Sequence, residues 1–193
     1  MRRGFKSWCE NASSDYRSHL GLVLAGPLEP CDLARHLGVL VQTPNDLPSL
    51  SRQSITQLTM VDPDSWSAVT VAAGGKNLVI INSAHARTRQ RSSLAHELAH
   101  IILNHRASTT SVSEEGFLFR DRYDSEQEEE ADWLGGALLL PRAGLLSVYR
   151  RTPSSETIGQ IFGVSIKLVD WRLRMTGILV QAKRESRWRR RAG

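Results

Sequence analysis

The segment His96-Glu97-Leu98-Ala99-His100 constrains this chain more than any other, because it matches the pattern H-E-x-x-H. An α-helix turns by about 100° per residue, so His96 and His100 would lie one turn apart on one face. The opposite face carries apolar residues, namely Leu94, Leu98, Ile101 and Ile102. The pattern therefore predicts a helix that is buried on one side and directs two imidazoles towards one point.

Two histidine nitrogens at this spacing can share a tetrahedral ion such as Zn²⁺. Glu97 follows His96 directly and is the natural base for a water molecule activated there. The alternative is a helix with two partly exposed histidines and no metal, because such a site still needs a third ligand.

The composition is that of an ordinary globular domain, with 193 residues of which 40% are hydrophobic. The chain lacks an apolar run of the ~20 residues that cross a bilayer, and its basic start lacks a secretory apolar region. We therefore expect a cytoplasmic protein without a membrane partner. Cys9 and Cys31 lack C-x-x-C spacing and fit a reducing compartment.

The net charge of +5 arises largely at the carboxyl end. Its basic residues are Lys183, Arg184, Arg187, Arg189, Arg190 and Arg191, against Glu185. Such a segment, which also contains Trp188, can contact nucleic acid or an acidic partner, or be a solvated terminus.

Periodicity predicts helices over residues 5–22, 30–37, 88–104, 126–140 and 142–150, with Thr88 as the cap of the motif helix. Short strands are predicted at 39–41, 69–71 and 78–81, and the last two form a hairpin around the turn at 74–77. Residues 45–60 are ambiguous.

A third metal ligand is not found within the motif helix. The rotation from His96 to His105 is about 900°, which predicts that His105 points to the opposite face. Metzincins need a glycine and a third histidine at positions that Leu103 and Arg106 occupy here.

The acidic helix after residue 125 offers carboxylates instead. Glu128, Asp132 and Gly135 share one flank, Glu130 lies on the other, and Glu129 points towards water. A carboxylate on the first flank would complete a His₂Glu site, Gly135 would allow a close helix approach, and Asp132 would hold the far N–H of a ligand histidine. A solvated acidic helix start is the alternative, and the choice among the three glutamates stays open.

Two segments together resemble the ImmA/IrrE family of metallo-endopeptidases. They are residues 89–103 and the run Glu128-x-Glu130-Ala131-Asp132-x-x-Gly135-x-x-Leu138-Leu139-Leu140-Pro141. The resemblance implies a minimal gluzincin, with Zn²⁺ held by His96, His100 and Glu128, Asp132 as the orienting residue and Glu97 as the catalytic base. Trp133, Gly135-Gly136 and Leu140 depart from the usual residues but do not touch these ligands.

The expected fold is α+β. It combines a mostly helical zincin-like domain at 1–151, with a small sheet beside the motif helix, a helix-turn-helix-like segment at 152–182 and a basic tail at 183–193. In the second part, Thr157-Ile158 and Ile161-Phe162 would pack against Val169 and Leu173. Exposed Lys167, Arg172 and Arg174 would meet phosphate if the segment binds DNA, and the alternative is a packing module.

The expected function is zinc-dependent cleavage of a protein, which the resemblance suggests is a helix-turn-helix repressor whose loss switches genes on. The alternatives are a stress- or metal-responsive DNA-linked regulator and an inactive module that keeps the metal. Tyr123 and His85 are the candidates for a second stabiliser of the transition state.

Overall fold

The computed structural model describes residues 1–73, 75–105, 110–112, 118–120 and 124–192. The helices in these ranges are α1 (Phe5–His19), α2 (Pro30–His36), α3 (Arg52–Thr56), α4 (Arg87–Ile102), α5 (Ser125–Leu139), α6 (Arg142–Arg151), α7 (Ser155–Phe162), α8 (Ile166–Met175) and α9 (Ile178–Ala192). The strands are β1 (Leu40–Gln42), β2 (Ala68–Ala73), β3 (Lys76–Ile81), β4 (Thr110–Val112) and β5 (Leu118–Arg120). The predicted, mostly helical α+β fold is confirmed.

The larger sheet has the order β1-β3-β2. β2 and β3 form the predicted antiparallel hairpin, in which Thr70 lies opposite Val79. β1 pairs with β3 in parallel, with Leu40 opposite Leu78, so the chain must cross over between them. This crossover contains the ambiguous segment, which forms α3 and a π-helical turn at Gln57–Val61. The sheet packs against α4 through β2 and β3.

The motif helix α4 and the acidic helix α5 pack closely together at Gly135. A Cβ atom at Gly135 would lie 3.2 Å from the Ala95 carbonyl oxygen and 3.3 Å from the Cα of His96. Leu94 and Leu98 are buried on the inner face of α4, as predicted. The predicted cap is wrong: α4 begins at Arg87 after Ala86, and Thr88 lies inside the helix.

Two fully buried arginines bind the carboxyl end of α5. Arg17 donates to the carbonyls of Leu138 and Leu139 at 2.9 and 3.2 Å, and Arg172 donates to the Leu140 carbonyl from Nε and Nη2 at 3.0 and 2.9 Å. The last carbonyls of a helix lack partners within it, so these guanidiniums supply them. The predicted exposure of Arg172 is therefore wrong.

The carboxyl-terminal helices share a second hydrophobic core. Ile158, Phe162, Val169 and Leu173 are buried in it, as predicted, whereas Ile161 is 40% exposed, so its predicted packing there is wrong. Ala95 of α4 and Leu139 of α5 belong to the same cluster. Helix α9 continues across residues 182 and 183, and the division of the chain into 1–151, 152–182 and 183–193 stays a prediction. Within the described ranges, no helix has the length and apolar character needed to cross a bilayer.

Candidate metal centre

Helices α4 and α5 bring three side chains with metal-binding atoms into one group. One ligand atom each from His96, His100 and Glu128 lies within 4.8 Å of the other two. Their side chains are 22%, 16% and 19% exposed, so the group opens to solvent without lying on the surface. The close approach at Gly135 explains this meeting, because it holds the α4 backbone at His96 against α5.

The distances within the group fit a tetrahedral ion. His96 Nε2 lies 3.0 Å from His100 Nε2 and 3.2 Å from Glu128 Oε2, and His100 Nε2 lies 3.6 Å from Glu128 Oε1. Two ligands that are each about 2.0 Å from a tetrahedral zinc ion lie roughly 3.3 Å apart. The donor set of two imidazoles and one carboxylate is also one that zinc accepts, so these residues fit a zinc ion.

Asp132 lies behind His96, one turn beyond Glu128 on α5. His96 Nδ1–H donates to Asp132 Oδ1 at 2.9 Å, which directs the other ring nitrogen towards His100 and Glu128. Burial alone would lower the pKa of His96, but the hydrogen bonds to Asp132 and Glu128 outweigh it and raise the pKa to about 9. The carboxylates therefore favour positive charge at this point, as a cation site requires.

Glu97 points from α4 towards the sheet and is only 6% exposed. The Thr70 hydroxyl on β2 donates to Glu97 Oε2 at 2.5 Å. This hydrogen bond holds the carboxylate of the predicted base. The sequence pattern does not reveal Thr70 as a residue of the site. A strand residue that meets a helix only after folding leaves no local signal.

His105 is placed differently from the prediction. Helix α4 ends at Ile102, and Asn104 has a left-handed backbone with φ of 51°. The N–H groups of Asn104 and His105 bind the carbonyls of Ile101 and His100 at 3.1 and 3.0 Å, which is the Schellman pattern. The turn brings His105 back beside the site, with its Nδ1 2.9 Å from His100 Nδ1. The helical extrapolation to the opposite face is wrong.

The three neighbouring glutamates have different surroundings. Glu128 joins both histidines, Glu129 is exposed, and Glu130 is buried with its Oε2 3.3 Å from His105 Nε2. This arrangement favours Glu128 as the third ligand, and its role stays a prediction.

The two candidates for a second stabiliser have no described contact with the centre. His85 Nε2 lies 2.9 Å from the Pro63 carbonyl oxygen, and its other described partners are Asn82 and Asp64. Tyr123 lies outside the described residues.

A solved structure of a Mycobacterium tuberculosis transcriptional regulator is similar to this chain, with a TM-score of 0.51 and 15% sequence identity. The similarity covers 89% of this chain and 47% of that chain, so this protein spans about half the length of that relative. At this identity the similarity shows the fold alone. No protein of curated function matches the chain significantly.

The model of the Peptidase M78 family, described as the IrrE N-terminal-like domain, matches residues 34–174. The matched region begins in α2 and ends in α8, so it includes both helices of the candidate metal centre and the sheet beside them. It covers most of the chain and agrees with the resemblance to the ImmA/IrrE metallo-endopeptidases. The chain therefore belongs to the Peptidase M78 family of IrrE N-terminal-like domains.

Proposed function

We propose that this protein is a zinc-dependent endopeptidase. The observation that carries the proposal is the convergence of His96, His100 and Glu128 at distances that suit a tetrahedral ion, with Glu97 as the next residue on the same helix. Membership of a metallopeptidase family supports the same reaction class.

His96, His100 and Glu128 would hold the zinc ion. When bound, zinc would supply Lewis acidity, which activates a water molecule for attack and polarises the scissile carbonyl group. Asp132 keeps the proton of His96 on Nδ1, so that Nε2 is available as a ligand.

Glu97 would take the proton of the attacking water and pass it to the amine that leaves. The Thr70 hydroxyl fixes one carboxylate oxygen, so the side chain enters the reaction already oriented. Because Glu97 is buried, bulk water competes less for the proton that its carboxylate would accept.

The proposed substrate is a helix-turn-helix transcriptional repressor, whose cleavage would derepress its genes. This part of the proposal rests on the family resemblance.

The test loads the purified chain with zinc and incubates it with helix-turn-helix repressors from the same genome, with cleavage sites read by mass spectrometry. Glu97→Gln should keep its zinc and lose cleavage, since an amide cannot accept the proton. His96→Ala should lose both, and Glu129→Gln, which changes an exposed side chain on α5 next to Glu128, should keep both. Cleavage by zinc-loaded Glu97→Gln at the wild-type rate would contradict the proposal.

A second candidate function is contact with nucleic acid through α9. Trp188 is 72% exposed, and the exposed Lys183 and Arg184 lie on the same helix. Basic and aromatic side chains together suit phosphates and stacked bases. Salt-dependent DNA binding that is lost in the Lys183→Glu/Arg184→Glu variant but kept in Arg52→Glu, which changes an exposed arginine on α3, would favour this function.

A further inference from the structure

A buried pair, His105 and Glu130, lies behind His100. The Nε2 atom of His100 faces the candidate metal position, since it lies 3.0 Å from His96 Nε2 and 3.6 Å from Glu128 Oε1. The Nδ1 atom on the other side of the ring lies 2.9 Å from His105 Nδ1. The far nitrogen of His105, Nε2, lies 3.3 Å from Glu130 Oε2.

The hydrogen bonds that link His100, His105 and Glu130 allow one arrangement of protons when both imidazoles are neutral. An ionised carboxylate only accepts hydrogen bonds, so Glu130 requires the proton of His105 on Nε2. A neutral His105 then carries a lone pair on Nδ1 and accepts from His100 Nδ1–H. His100 is left with its lone pair on Nε2, which is the atom that faces His96 and Glu128.

We propose that Glu130 and His105 act as positioning residues that fix the tautomer and ring orientation of His100. This inference rests on the proposed function, because it takes His100 as a metal ligand. It assigns to His100 an orienting partner that corresponds to Asp132 beside His96.

Burial distinguishes the two orienting contacts. The side chains of His105 and Glu130 are 7% and 9% exposed, whereas Asp132 is 67% exposed. Water competes for the Asp132 carboxylate but is largely kept from the contact between His105 and Glu130. His100 is therefore the more firmly held of the two histidines.

The local backbone explains why residue 105 can play this part. The left-handed Asn104 ends α4, and the His105 N–H then binds the His100 carbonyl at 3.0 Å. The same turn that closes the helix thus holds residue 105 beside the side chain it orients.

The test compares zinc affinity, measured by competition with a chromophoric chelator, in the wild type, His105→Leu and His105→Gln. Leucine fills the site without an acceptor, so zinc affinity should fall about 10- to 100-fold. Glutamine can accept from His100 and donate to Glu130, so it should recover most of this loss. The matched control is His85→Leu, because His85 is also buried but bonds to the Pro63 carbonyl.

The outcomes separate the inference from the proposed function. A wild-type chain that binds no zinc overturns both. A wild-type chain that binds zinc, with folded His105→Leu binding it equally well, overturns the inference alone. If His105→Leu does not fold, ¹⁵N NMR of the wild-type imidazoles decides: a proton on His105 Nε2 and on His100 Nδ1 supports the inference, and a proton on His105 Nδ1 overturns it.

Discussion

The hydrogen bond from Thr70 to Glu97 is the contact that ties the sheet to the predicted catalytic base. Thr70→Val keeps the shape of the side chain and removes the donor. Glu97 is 6% exposed, so water replaces the lost bond poorly and the carboxylate loses its fixed orientation. The variant therefore separates the positioning of the base from the binding of the metal, because Thr70 is outside the ligand group.

The expected magnitude follows from the charge and the burial of the acceptor. A hydrogen bond to a charged group contributes about 1.5–3 kcal/mol to stability. Thr70 is only half-buried, so we take the lower end and expect a coupling energy of about 1.5 kcal/mol between Thr70 and Glu97. The same loss at the transition state would lower kcat about tenfold and leave zinc affinity unchanged.

A double-mutant cycle measures this coupling without a substrate. Thr70→Val, Glu97→Leu and the double variant are unfolded with urea in the presence of a chelator, and the non-additive part of the unfolding free energy is the coupling. Thr59→Val provides the control, since the Thr59 hydroxyl donates to the Ile55 carbonyl. Equal, near-zero coupling of Thr70 and Thr59 with Glu97 would refute the reasoning.

Three other regions yield predictions. Burial raises the pKa of the Cys9 thiol to about 12, whereas Cys31 is exposed. Iodoacetamide should therefore modify Cys31 in the folded protein and Cys9 only after unfolding, as measured by mass spectrometry, and equal rates of modification would contradict this. Arg172→Met removes the guanidinium that neutralises Glu10 and donates to the Leu140 carbonyl, and Glu10 keeps only the Arg142 backbone N–H as a donor. The free energy of unfolding should fall by about 3 kcal/mol in urea titrations, and a loss below about 1 kcal/mol would show that α5 keeps its end without this cation. Gly135→Val would push α4 away from α5, so zinc affinity should fall at least about tenfold. Unchanged zinc affinity would show that zinc binding does not depend on this close approach of the helices.

Periodicity predicted the meeting of α4 and α5 because both patterns are local. Two histidines one turn apart define a face of the helix. Gly135 lacks a Cβ atom and therefore marks the place where a neighbouring helix can approach closely. The structure brings His96, His100 and Glu128 together on that basis. The hairpin of β2 and β3 was predictable for the same reason.

The misplacement of His105 has a specific physical cause. The predicted position assumes that the rotation of α4 continues past Ile102, where the helix in fact ends. Asn104 was the available signal, since asparagine tolerates the left-handed conformation that ends helices. With the helix ended there, residue 105 falls beside His100.

The roles of Thr70 and Arg172 depend on tertiary contacts, which local sequence patterns do not predict. Thr70 acquires its role only when the sheet packs on α4. Arg172 is buried because its partners, the Leu140 carbonyl and Glu10, come from segments distant in the sequence. An arginine that has no hydrogen-bonding partner nearby in the sequence is expected at the protein surface. Here tertiary packing supplies the partners.

In the proposed function, α4 and α5 would hold one zinc ion through His96, His100 and Glu128. Crystals of the zinc-loaded protein, with diffraction data collected on both sides of the zinc absorption edge, test it directly. We expect a single anomalous peak about 2.0–2.2 Å from one atom of each of these side chains, with a fourth position open. A peak elsewhere, or a Glu128 carboxylate turned away from both imidazoles, would contradict it.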